Sequence, residues 1–131
     1  MRRYWDSSAL VDALEDGRVE ALAREKDQFT RSHTLAEIFS TITGGRLGYR
    51  YDPADASALI ADITAEMTFV EMSAKEVQVE LDRAAQFGVR GGNVHDYLHA
   101  RAAAKAKVAV LVTYNLSDFE NLKDGFMVES P

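Results

Sequence analysis

Residues 110–119 read VLVTYNLSDF. An apolar, β-branched run stops at Thr113, and the next five positions supply Asn115, Ser117 and Asp118. A short apolar run bounded by turn-forming residues reads as a buried strand. The oxygen-bearing cluster that follows it has two readings. It is a turn with a helix cap, or it is the rim of an active site.

Working outward, short apolar or β-branched runs alternate with helical patterns along the whole chain. That alternation predicts an α/β domain with a central parallel sheet of four to five strands and helices on both faces. The expected strands are RRYW (2–5), QFTRS (28–32), TFVEM (68–72), VAVLVT (108–113) and FMVE (126–129). Between them lie SALVDAL, RVEALAREK, TLAEIFSTIT, PADASALIADITAEM, SAKEVQVELDRAAQFG and NVHDYLHARAAAKAK. Leu59, Ile63 and Met67 recur every four residues and predict one buried helix face. Asp52-Pro53 predicts a helix start, Ser73 with Glu76 a capping box, and Gly88 a helix stop. No repeat or linker divides residues 1–131, which are expected to form one domain around one core.

Composition narrows the classes. Apolar residues at 47% and charged residues at 27% place the chain among globular rather than disordered sequences. The absence of cysteine excludes disulfides and thiolate metal sites, and it suits a reducing, cytoplasmic location. Asp6 and Asp12 break the apolar stretch of MRRYWDSSALVDAL, so no signal peptide is expected, and no run reaches membrane-spanning length. With 15 basic against 21 acidic residues, the net charge of −6 does not advertise nucleic-acid binding. Metal ions held by clustered carboxylates would reverse that field locally.

Four acids share a placement. Asp6 ends the first strand, Asp118 follows the fourth, and Glu37 and Asp96 lie in predicted first turns of helices. In an open parallel sheet these ends meet at the carboxyl edge, where ligands bind. Each acid also has a plain structural role. Thr34 with Glu37 and Ser117 with Glu120 fit capping boxes, and Asn93 fits a cap with Asp96 in the first turn. Asp6 is harder to dismiss, because a carboxylate buried behind RRYW needs a partner. Carboxylates brought together repel unless a cation joins them, and hard ions such as Mg²⁺ or Mn²⁺ prefer oxygen ligands. The chemistry such a site serves is phosphodiester hydrolysis by metal-activated water.

At YWDSSALVDAL, TLAEIFSTI, GGNVHDYLHARAA and VLVTYNLSDF the chain resembles PIN-domain ribonucleases, in order and in rough spacing. The resemblance is strongest to the VapC-type toxins of toxin–antitoxin pairs, and it covers essentially the whole chain. It implies a parallel sheet, an acidic metal pocket and Mg²⁺- or Mn²⁺-dependent cleavage of RNA. Carried over, Asp6, Glu37, Asp96 and Asp118 form the acidic quartet, with Asp6, Asp96 and Asp118 on the metal. Thr113 and Asn115 support it, and Ser8 lines the floor. Asn115 departs from members that carry aspartate there, which removes one charge from a second metal position and leaves one or two ions open. The resemblance also implies an RNA substrate, a cognate antitoxin and a two-fold homodimer.

Other features are weighed beside these. His95 and His99 have the four-residue spacing of zinc ligands but lack a third one, so a surface or supporting role is expected. Arg101, Lys105 and Lys107 are candidate RNA-phosphate contacts or else a solvated helix end. Tyr4 and Trp5 are expected in the core. Ile38, Phe39 and Ile42 are core or a partner groove. Two other roles keep the fold: an RNA-processing nuclease without an antitoxin, and a non-catalytic interaction module with a vestigial pocket. A phosphatase or receiver role with Asp6 as phosphoryl acceptor is disfavoured by Ser8, where a common phosphatase pattern has a second aspartate.

Overall fold

A computed structural model describes residues 1–131. Five strands, β1 (Arg3–Trp5), β2 (Gln28–Thr30), β3 (Thr68–Phe69), β4 (Val110–Val112) and β5 (Met127–Glu129), form one sheet in the order β3-β2-β1-β4-β5. Every neighbouring pair is parallel. The helices are α1 (Ser7–Glu15), α2 (Val19–Ala23), α3 (Ser32–Thr43), α4 (Pro53–Ile63), α5 (Ala74–Arg83), α6 (Val94–Lys105) and α7 (Leu116–Phe119). The α/β architecture read from the alternation is present, with five strands. No helix is long and apolar enough to cross a membrane.

Strand periodicity divides the core in two. Successive residues point to opposite faces, so Trp5, Val110 and Val112 pack with α1, α3 and α4, while Tyr4, Phe29 and Leu111 pack with α6. Tyr4 and Trp5 are therefore both core, as expected, on opposite sides of one strand. The register aligns Tyr4 with Leu111 and Trp5 with Val112. From β1 the chain steps outward to β2 and β3, then crosses back to β4 and β5. The order reverses between β1 and β4, which makes their carboxyl ends the natural ligand crevice.

Several element boundaries differ from the sequence reading. Strand β3 stops at Phe69 rather than 72, and β2 stops at Thr30 because Arg31 opens α3, its carbonyl accepting from Thr34 N–H. Helix α3 thus begins before Thr34, and Glu37 lies in its second turn. The buried face of α4 is Ala56, Ile60 and Ile63; Leu59 is only half-buried, and Met67 is buried beyond the helix end. Asp52 does flank Pro53 at the helix start, without a side-chain bond. The Ser73–Glu76 capping box forms in both directions, at 3.1 Å each way. Gly88 stops the following 3₁₀ turn with φ +67°, a left-handed conformation that glycine adopts without strain. Ile38 and Ile42 are core, so of the suggested partner groove only Phe39 remains exposed.

Candidate functional site

Asp6 leaves β1 at the switch point and caps α1. Its Oδ1 accepts the Ala9 N–H at 2.9 Å and the Ser8 hydroxyl at 2.8 Å, and its Oδ2 accepts the Thr113 hydroxyl at 2.6 Å. The residue is only 3% exposed, so the partner that burial demands exists, and it is a set of neutral donors. Ser8 and Thr113 are held in turn: Ser8 Oγ accepts the Tyr114 N–H at 3.0 Å, and Thr113 Oγ1 accepts the Asn115 N–H at 3.0 Å. The opening stretch is thereby a turn whose backbone is tied to the Asp6 carboxylate. The Ser117 cap does not form. Asn115 occupies the cap position of α7 without a side-chain bond, and Asp118 is exposed in the first turn.

Glu37 reaches the same edge from α3, but not as a cap. Thr34 turns inward to Thr30 at 2.9 Å, and Glu37 Oε1 meets His99 Nε2 at 2.7 Å. His99, 1% exposed on α6, meets the Tyr4 hydroxyl through Nδ1, also at 2.7 Å. Burial pushes the Glu37 carboxyl up, yet the hydrogen bond and charge of His99 outweigh it, and the carboxyl stays below its usual value. Burial holds the Tyr4 phenol protonated far above the ordinary range. An ionised Glu37 can only accept, so Nε2–H donates to it, and the Tyr4 hydroxyl and Nδ1 share the second bond.

Asp96 lies in the first turn of α6, as expected, half-buried. Asn93 makes no side-chain cap there, because its Oδ1 accepts the Arg90 N–H. The Asp96 carboxyl is pushed up to about 6 by burial first, then by the charge of Asp118, with Asp6 and Glu37 adding to it and His99 opposing. Asp96 thus feels the charge of the other three predicted acids at the carboxyl edge. The four are not gathered into a ready-made cage, since no three acidic or imidazole side chains stand close enough together to enclose an ion.

The histidine pair does not chelate. His99 is consumed by Tyr4 and Glu37, while His95 stacks on His33 with ring centres 5.5 Å apart. Arg101 and Lys105, candidates for RNA phosphates or else a solvated helix end, pair with acids of the chain. Arg101 lies 2.6 Å from both Glu80 and Asp124, and Lys105 lies 2.7 Å from Glu76. The sequence reading missed Tyr4 and His99 as a support for Glu37. The available signal was His99 at three residues after Asp96, on the same face of one helix. It also missed Arg31, whose charge acts on Glu37 and Tyr4 and whose Nε is buried without a partner.

No family model matches the chain. Two Elongation factor Ts proteins of Mycobacterium sp., strains KMS and JLS, are each 34% identical to it over 113 residues, 83% of this chain. The chain spans 40% of the length of these curated relatives. Among solved structures, PAE2754 from Pyrobaculum aerophilum aligns over 98% of this chain and 89% of its own, with a TM-score of 0.70 and 19% identity. The two share a fold. At that identity the likeness describes architecture alone.

Proposed function

We propose that this protein is a Mg²⁺- or Mn²⁺-dependent endoribonuclease of the PIN type. The observation that supports the reading is the placement of Asp6, Glu37, Asp96 and Asp118 about the β1–β4 switch point, where Asp96 feels the charge of the other three. Asp6, Asp96 and Asp118 would hold the ion, and Ser8 and Thr113 fix the orientation of Asp6. A bound ion would activate water and stabilise charge at the phosphate. Glu37 has one oxygen committed to His99 and its Oε2 open, which suits it to orienting that water. A VapC-like role, with an antitoxin and a two-fold homodimer, belongs to the same proposal; a neighbouring small gene for a DNA-binding protein separates it from an RNA-processing nuclease.

One observation favours a second reading, a non-catalytic interaction module. Asp6 already accepts three hydrogen bonds from neutral donors, and Glu37 one from His99. One experiment separates the two. Total RNA is incubated with the protein in Mn²⁺, in Mg²⁺ and in chelator, beside Asp6→Asn, Asp96→Asn and Asp118→Asn. The nuclease reading expects metal-dependent cleavage by the wild type and none by the three variants. Cleavage that is equal in all four proteins, or absent from the wild type in both metals, would sink it.

A further inference from the structure

We propose that His99, backed by Tyr4, is the positioning residue for Glu37, and that its imidazole acts on the reaction only through that carboxylate. The inference rests on the nuclease reading above and deepens it. Three elements meet in this contact: β1 carries Tyr4, α6 carries His99 and α3 carries Glu37. The two hydrogen bonds are 2.7 Å each and span 95 and 62 residues of sequence. Neither Tyr4 nor His99 reaches solvent, at 0% and 1% exposed, so neither can touch RNA.

Burial of a polar imidazole against a phenol has a cost that an apolar side chain would avoid. What the arrangement gains is direction. An imidazole ring locked at Nδ1 by a buried hydroxyl presents Nε2–H along one line, and that line ends on Glu37 Oε1. Glu37 projects from α3, whose buried residues are Thr34, Ile38 and Ile42, and its own side chain is partly exposed. His99 is the only side chain bonded to it. Loss of such a supporting hydrogen bond loosens the group that it orients, which lowers turnover more than binding.

The test uses His99→Ala, His99→Gln and Tyr4→Phe in the full chain, with RNA cleavage and Mn²⁺ affinity by calorimetry as separate readouts. In His99→Ala, kcat should fall by about tenfold or more, the usual effect of removing an orienting partner. KM and the Mn²⁺ Kd should stay within about twofold, because substrate and ion contacts are untouched. Added imidazole should recover part of the rate by filling the vacated space, and His99→Gln should retain part of it through its amide N–H. Tyr4→Phe should lose kcat to a smaller extent and gain nothing from imidazole. If His99→Ala does not fold, the glutamine and phenylalanine variants decide by the same criteria. Wild-type kcat in the folded variants would overturn the proposal. So would a Mn²⁺ Kd that weakens in step with the rate, since Glu37 would then be a ligand, or a rate loss that neither imidazole nor glutamine restores. A wild-type protein that cleaves no RNA would instead remove the nuclease reading itself.

Discussion

Thr113 donates its hydroxyl to Asp6 Oδ2 at 2.6 Å, joining the ends of β4 and β1 across 107 residues of sequence. The backbone ladder of the two strands ends just before, with Asp6 N–H on the Val112 carbonyl. The side-chain bond therefore extends the strand pairing by one step, into the crevice where the sheet order reverses. The same hydroxyl accepts the Asn115 N–H, so one oxygen fixes both the carboxylate and the turn that leads to Asp118.

Thr113→Val keeps the shape and removes the hydroxyl. It leaves a buried carboxylate oxygen and a backbone N–H without their partner. A loss of about 1–3 kcal/mol in urea unfolding is expected, the cost of stranding a buried polar group. Thr113→Ser should recover most of it. Equal stability of the valine and serine variants would show that the hydroxyl contributes nothing.

Arg101 tests the candidate RNA-phosphate contact. Its guanidinium faces Glu80, which is 8% exposed and also bonded to Tyr97 and Arg83. Arg101→Ala should destabilise the fold by about 3 kcal/mol, because one member of a largely buried pair is left behind. Arg101→Met combined with Glu80→Gln should restore much of that. RNA affinity in the double variant should match wild type and keep the same salt dependence. A salt slope reduced by about one would return Arg101 to the phosphate-contact role.

Much of this fold is legible in the sequence because its signals are local. Capping at Ser73, the stop at Gly88 and the apolar run at Val110 need only neighbouring residues to work. Topology alone carries the ends of β1 and β4, and with them Asp6 and Asp118, to the carboxyl edge. What each acid does when it arrives is set by partners far away in sequence. Glu37 fits a capping box with Thr34 locally, but His99 outcompetes that arrangement from α6, and Thr34 is taken by Thr30. Likewise Lys105 reads as free charge until Glu76 of α5 is placed beside it. Periodicity failed at Met67 for a related reason. The helix ends at Ile63, and Met67 is buried by the chain's return toward β3 rather than by helical spacing.

Mn²⁺ should raise the thermal midpoint of the wild type, because an ion that binds only the folded state stabilises it by mass action. At a hundredfold excess over Kd the gain is about 2.7 kcal/mol. Asp6→Asn should lose that response while keeping its fold, since asparagine caps α1 as well as aspartate does. Equal midpoint shifts in both proteins would place the ion elsewhere.

The pH dependence of stability should carry the signature of Asp96. Its carboxyl titrates near about 6 in the folded chain, against about 3.9 when unfolded. Between those values the folded state binds the extra proton, so stability falls as pH rises through the window. Below about pH 4 the group is neutral in both states and contributes nothing. Above about pH 6 it is charged in both, and the folded state bears first the burial of that charge and then the repulsion of Asp118, Asp6 and Glu37. Asp96→Asn removes this term. The variant should match wild type near pH 4 and exceed it by about 1–2 kcal/mol at pH 7, once solvent screening of a half-exposed group is allowed for. Urea unfolding of both proteins at several pH values in chelator reads the difference directly, and other titrating groups cancel in the comparison. A difference that stays flat from pH 4 to 7, or that favours the wild type at neutral pH, would mean that neither burial nor the neighbouring acids raise the Asp96 carboxyl.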